Sequence, residues 1–200
     1  MGENAQIVLA STSKYRKALL DKLGLQFSQL DPDYVESDLR GENPADKALR
    51  LARGKAEAGA QRLEERASTV VIGSDQVAEC QGRILSKPGN FDKALEQLQF
   101  CTGKWVTFHT GVALVDETGL ELSSFVDHYA LKFRQLRRSS LKTYLHMDKP
   151  YDCAGSIKAE AHGILLIEES QGLDINSLYG LPLIKLISVL MDMNLLEGIR

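Results

Sequence analysis

The run Thr69-Val70-Val71-Ile72 constrains this chain most. β-Branched residues in succession are stiff, suit an extended backbone and pack well on a pleated sheet, so the run predicts a buried strand. Gly73 follows, where the missing side chain lets the backbone come close to a neighbour, and Ser74, Asp75, Gln76 and Val77 come next. An apolar strand ending in a carboxylate and an amide is how open α/β sheets present chemistry, because ligands bind beyond strand ends. Gly-Ser-Asp is also ordinary turn composition, so the rest of the chain has to decide.

A chain of 200 residues is enough for one domain with a sizeable core, whether in one lobe or two. The net charge of −3 argues against a nucleic-acid binder held by phosphate contacts, which needs a basic face. A local basic pocket for a small anion is compatible with it. No apolar run is long enough to span a bilayer and no charged-then-apolar segment follows Met1, so a cytoplasmic protein is expected. Cys80, Cys101 and Cys153 are widely spaced with no Cys-x-x-Cys pair, and they read as free thiols.

Taken in order, Ile7 to Ala10 is a short apolar strand running into Ser11-Thr12-Ser13, and a helix starts at about Lys14. Leu19, Leu20 and Leu23 give that helix its apolar face and Gly24 ends it. Lys14, Arg16 and Lys17 crowd its first turn, where the macrodipole is already positive. Cations there make sense if an anion completes the site, with hydroxyls and unpaired backbone N–H groups as donors; a solvated helix start capped by Ser13 is the plainer reading. Leu25 to Leu30 reads as a second strand, leading to the acidic loop Asp31–Asp38, which is either solvated or a source of hard-cation ligands. Asn43 caps and Pro44 opens a helix to about Arg66, with Ala45, Ala48, Ala52, Ala56, Ala60 and Leu63 on one stripe and Arg50, Arg53 and Lys55 on other faces.

Past Thr69–Ile72, Gln81-Gly82 joins Val77–Cys80 to Arg83–Leu85 as a hairpin, and Ser86-Lys87-Pro88-Gly89 is a rigid turn carrying one lysine. Asn90 begins a helix through about Phe100. Trp105–Val115 and Leu120–Phe133 form a long hairpin, a basic helix spans about Arg137–Met147, and Gly163–Glu169 reads as an apolar strand. Gly180-Leu181-Pro182 opens the last helix, on which Leu183, Leu186, Ile187 and Leu190 repeat at helical spacing. There is no Walker-type loop, no dinucleotide glycine fingerprint, no nucleophile elbow and no His-Glu-x-x-His, and the four histidines show no ligand spacing. Carboxylates, hydroxyls and basic residues at strand ends and helix starts are left, the equipment of metal-assisted phosphate chemistry.

Leu9-Ala10-Ser11-Thr12-Ser13-Lys14-Tyr15-Arg16, Gly73-Ser74-Asp75-Gln76-Val77, Lys87-Pro88, Cys153-Ala154-Gly155-Ser156 and Gly180-Leu181-Pro182 occur in the order found in the Maf-like nucleotide pyrophosphatases. Each motif is weak alone; five in register, from about Ile7 to Leu190, identify a resemblance over nearly the whole chain. The Gly-Ser-Asp-Gln-Val and Cys-Ala-Gly-Ser forms are most similar to the bacterial 7-methyl-GTP pyrophosphatase subgroup. The resemblance implies an α/β fold with an elongated mixed sheet, flanking helices and two lobes with the cleft between them, as in inosine triphosphatases. It implies hydrolysis of a nucleoside triphosphate between the α and β phosphates with Mg²⁺ or Mn²⁺. Carried over by position, Asp75 matches the proton acceptor and a metal ligand. Ser11, Arg16, Lys55 and Lys87 match phosphate-holding positions, Glu36 an acidic metal position, and Tyr15, Gln76 and Glu160 positions tied to base selectivity.

The chain departs from the family pattern at Lys14, where proline is usual, at Tyr15, where the subgroup often has tryptophan, and at Val35, where many members carry a second acid. The rival readings are the same reaction on dTTP, UTP or another nucleotide, and a nucleotide-binding regulator of division with incidental hydrolysis. A nucleic-acid module on Arg134, Arg137, Arg138 and Lys142 is disfavoured by charge and by the lack of interleaved aromatics. The expected partner is a small nucleotide, with neither nucleic acid nor membrane, and a homodimer is compatible with these residues.

Overall fold

The computed structural model describes residues 5–64 and 68–196. The strands are β1 (Gln6–Ala10), β2 (Phe27–Leu30), β3 (Thr69–Cys80), β4 (Arg83–Leu85), β5 (Trp105–Asp116), β6 (Glu121–Phe133) and β7 (Ile167–Gln171); the helices are α1 (Lys14–Asp21), α2 (Pro44–Gln61), α3 (Phe91–Cys101), α4 (Arg138–Asp148) and α5 (Leu183–Asp192). The seven strands form one mixed sheet in the order β2-β1-β3-β5-β6-β7, with β4 paired to the far end of β3. β1 runs parallel to both β2 and β3, and the remaining pairings are antiparallel. Among the described residues no helix is long and apolar enough to cross a membrane.

Alternation along β3 explains how one strand serves both faces. Val71 packs with Ala52, Ala56 and Ala60 of α2, while Val70 and Ile72 face Leu19 and Leu20 of α1 and Leu186 and Leu190 of α5. Farther on, Ala78 and Cys80 join a third core cluster with Leu95 and Leu98 of α3 and Leu141 and Leu145 of α4. Three core clusters thus share one sheet, whose long strands β3, β5 and β6 run from one lobe into the other. The hairpin at Gln81-Gly82 pairs Ala78 with Leu85 as expected. Cys80, Cys101 and Cys153 are all unbridged.

The alanine stripe of α2 is a device for close approach. A Cβ on Gly73 would lie 2.3 Å from the Ala52 carbonyl oxygen and 2.5 Å from the Ala56 nitrogen, and one on Gly111 would lie 2.4 Å from the Ala48 carbonyl oxygen. Gly73 and Gly111 sit on neighbouring strands, where Asp75 pairs with Gly111 and Gly73 with Ala113. The helix therefore lies with its backbone on a glycine-floored groove, which brings Lys55 down beside Asp75.

Several boundaries differ from expectation. α2 ends at Gln61 rather than about Arg66, a position outside the described residues. The second strand begins at Phe27, and the basic helix is displaced by one residue. Gly163–Leu166 belongs to a 3-10 turn, His162–Leu166, and the strand begins at Ile167. Asp75 is not at a strand end: β3 continues to Cys80. The strands beside it are what end. On that edge β1 covers β3 only from Thr69 to Gly73, and β4 only from Ala78 to Cys80. Ser74 to Val77 face a notch in the sheet, bordered by the chain leaving β1 at Ser11 and the chain leaving β4 at Ser86-Lys87. The rule that ligands sit beyond strand ends therefore still applies, through the neighbours of Asp75.

Candidate active site

A cleft of about 500 Å³ opens over this notch, and Tyr15, Arg16, Glu36, Lys55, Asp75, Gln76, Lys87 and Glu160 all line it. Ser11 borders an adjoining hollow of about 510 Å³ that shares Tyr15, Arg16, Glu36, Lys55 and Lys87. Every site residue implied by the resemblance therefore reaches one region, brought there by helices, strands and loops far apart in the chain. At its floor Lys55 Nζ lies 2.5 Å from Asp75 Oδ1 and 2.6 Å from Glu36 Oε1. Lys55 and Asp75 are nearly buried, whereas the Glu36 side chain is half exposed at 51%. Burial pushes the Glu36 carboxyl up, but its bond to Lys55 and the charges of Lys55, Lys87 and Arg16 outweigh that, and the net shift is downward.

Arg16 is aimed into the site by the last part of the chain. Its Nε donates to the Gly180 carbonyl at 3.0 Å and its guanidinium to Ser11 Oγ at 3.4 Å. Gly180 has φ +97, and a Cβ there would press to 3.3 Å on Arg16 Nε, so both conformation and space call for glycine. The buried Ser74 hydroxyl shares the same carbonyl, lying 2.9 Å from the oxygens of Gly180 and Gly111. Burial draws Arg16 below its usual value while Asp75 and Glu36 pull the other way; an arginine keeps its charge regardless. Of the three cations in the first turn of α1, Lys17 pairs with Asp21 at 2.9 Å and Lys14 lies 5.4 Å from the Tyr15 ring, so Arg16 alone is built into the floor.

At the other end of the cleft, burial and the adjacent Glu160 carboxylate push the Tyr15 phenol up to about 12. Gln76 Nε2 is spent on Thr110 Oγ1 (3.1 Å) and on the carbonyls of Ser177 (2.7 Å) and Leu178 (3.1 Å), which leaves its Oε1 as an acceptor for a ligand. Cys153 lines the cleft too, but burial and Asp152 hold its thiol at about 12, so it is no thiolate nucleophile. Asp38, Lys47, Asp152 and Tyr179 also line the wall. None of them stood out in the sequence, although Asp38 lies in the acidic loop and Asp152 and Tyr179 each adjoin a motif.

Among the described residues no three of His, Cys, Asp and Glu gather around one point. Two carboxylates nonetheless converge on a single cation, the Lys55 ammonium. A hard divalent ion takes one or two protein carboxylates and completes its shell with phosphate oxygens and water, so Asp75 and Glu36 fit a metal that arrives with a phosphorylated ligand. Val35, 85% exposed, adds no donor. The site as a whole offers a carboxylate on a fixed lysine, cations spread along a trough, and an aromatic and acidic far wall.

A family model described as Maf-like protein matches residues 6–193. The 7-methyl-GTP pyrophosphatase of Vibrio vulnificus is 43% identical over 188 residues, covering 94% of this chain and 95% of that protein. The protein of the same name from Pseudomonas syringae pv. tomato is 45% identical over 193 residues, covering 96% and 97%. The Ham1 protein of Staphylococcus aureus, of known structure, aligns with a TM-score of 0.44 at 17% identity over 65% of this chain and 72% of that one, too distant a likeness to bear on function. With a model that spans the chain from β1 to the end of α5, and relatives matched over nearly their full length, this protein belongs to the Maf-like protein family.

Proposed function

We propose that this protein hydrolyses 7-methyl-GTP between its α and β phosphates, releasing 7-methyl-GMP and pyrophosphate. The names of the relatives support the reaction class and the substrate. The observation that carries the reading is the convergence of Asp75, Glu36, Lys55, Arg16 and Lys87 on one cleft. Phosphoanhydride hydrolysis needs little covalent help; water must be aligned and charge neutralised.

In this reading Asp75 takes the proton of the attacking water as its oxygen bonds to the α phosphorus, and the bridging oxygen leaves with pyrophosphate. Lys55 fixes the Asp75 rotamer through its 2.5 Å bond and, held also by Glu36, cannot swing away. Arg16, Lys87 and the Ser11 hydroxyl hold phosphate oxygens. Asp75 and Glu36 would hold Mg²⁺ or Mn²⁺, which when bound supplies positive charge to the phosphates. The Tyr15 ring stacks on the methylated, positively charged purine, and Glu160 accepts from guanine N1–H and N2–H₂. Gln76, with only an acceptor to offer, aims no donor at the methylated N7. A cytoplasmic location is part of this reading, and three unbridged cysteines suit it.

The test is product analysis. Incubation with 7-methyl-GTP and Mg²⁺ should give 7-methyl-GMP and pyrophosphate in equal amounts and stop on thorough chelation. Release of orthophosphate would overturn the proposed bond cleavage, and turnover undiminished by chelation would remove the metal from it.

A further inference from the structure

A second cluster of ionisable groups lies behind the cleft, where α4 ends. Asp148 is the last residue of α4, the negative end of its macrodipole, and its side chain is only 3% exposed. A carboxylate buried there is unfavourable unless it is paired. Its Oδ1 lies 2.6 Å from His162 Nδ1, while Oδ2 has no hydrogen-bond partner among the described residues. With a carboxylate as acceptor, Nδ1 is the nitrogen that carries the hydrogen. Lys158 Nζ donates to the Asp148 carbonyl at 2.9 Å, and the Lys158 backbone N–H donates to the Tyr144 hydroxyl at 2.9 Å.

Lys158 and His162 are the two ends of one tight loop. The N–H groups of Ala161 and Gly163 both donate to the Lys158 carbonyl at 3.1 Å. Gly163 closes it: a Cβ there would sit 2.3 Å from that carbonyl oxygen. Glu160 is at the centre of the loop, two residues from each anchor, and it reaches the cleft wall near Tyr15 of the other lobe. Among the described residues the loop pairs with no strand; Ala159 packs against the core beside it, and its two ends are fixed to α4.

We propose that Asp148 and His162 are positioning residues, a clasp on α4 that aims the Glu160 loop at the base and so sets base selectivity from outside the cleft. This rests on the reading of Glu160 as a base-contacting residue. It accounts for a costly buried carboxylate that the proposed chemistry does not use, and for a histidine exposed on the surface yet turned inward to meet it.

The experiment compares the enzyme with His162→Ala, His162→Asn and Glu160→Gln, using 7-methyl-GTP and GTP. Asparagine places an amide N–H close to where Nδ1–H stood, so His162→Asn is the rescue variant. His162→Ala should raise KM for 7-methyl-GTP about tenfold, the scale of a lost hydrogen bond to a charged group, and narrow the preference over GTP. Its kcat should stay within about twofold, as expected when positioning of the base rather than the reacting atoms is disturbed. Hydrogen exchange should show the Ala161 and Gly163 amides opening faster, and His162→Asn should restore both readouts. Faster exchange with an unchanged preference, while Glu160→Gln narrows that preference, overturns the clasp and leaves Glu160 in place. A preference untouched by Glu160→Gln overturns the base-contacting role of Glu160 and the clasp with it.

Discussion

Asp75 owes its setting to the residues around it. Gly73 admits α2, Gly111 opposes it across the β3–β5 pair, and Lys55 meets it from the helix at 2.5 Å. Asp75→Asn keeps the shape and removes the proton acceptor, so turnover should fall at least about a hundredfold, the scale of a lost general base. Folding should survive, because Lys55 keeps Glu36 as a partner at 2.6 Å; a stopped assay and a melting curve on the same preparation check both halves, and near-normal turnover would contradict the role given to Asp75. The residue was legible through the motif match rather than through its own stretch, because Gly-Ser-Asp after an apolar run reads equally well as a turn. The sequence tied Gln76 to base selectivity or to a buttress for Asp75, and its nitrogen serves neither, being bonded to Thr110, Ser177 and Leu178. Ser74 and the Gly180 carbonyl, which aim Arg16, were visible only as motif neighbours, since a backbone oxygen leaves no mark in a sequence.

At the scale of elements, the helix α2 and the strand β3 form the working unit. The alanine stripe and the glycine at position 73 could be read from the sequence, but not that each was the complement of the other, nor that Gly111 completed the groove. The boundary errors have local causes. Gln61 ends α2 earlier than its alanine period suggested, and Gly163–Leu166 looked like a strand because a short apolar run carries no period of its own. β3 passes its expected end because β5 pairs with it along nearly its whole length. Gly73→Ala tests the unit. The added methyl would meet the backbone of Ala52 at 2.3 Å, which no rotamer change relieves, so α2 must lift and carry Lys55 away from Asp75. The expected result is about 1–3 kcal/mol of lost stability in denaturant melts together with a fall in kcat/KM. An unchanged melt and unchanged turnover would contradict the claim that this close packing sets the site.

Over the whole molecule, three core clusters pack on one sheet and the cleft lies where β1 and β4 leave β3 uncovered. The two-lobed mixed sheet was expected from the family resemblance; the notch was not, because it depends on pairing between strands far apart in sequence. The charges distributed over both lobes predict how the fold responds to acid. Burial, and then His128, lower His109 below its usual 6.5 against the opposing pull of Glu79. Below pH 6.5 the unfolded chain binds a proton there that the folded chain refuses, so stability falls as pH drops through that region. Glu42 and Glu121, bonded to Arg50 and Arg53, are held below the usual 4.5, so their contribution is present above that pH and lost as pH falls through their lower folded values. The melting temperature should therefore fall in two stages on acidification, and His109→Gln should flatten only the first; a melting temperature that rises between roughly pH 7 and pH 5.5 would contradict this. A cleft built for a methylated, cationic purine triphosphate is tested most directly by kcat/KM for 7-methyl-GTP, GTP, dTTP and UTP on one preparation. 7-methyl-GTP should come first, by about tenfold or more over GTP, the scale of a desolvated cation–π contact; a preference for dTTP or UTP would show that the cleft is not built for that base.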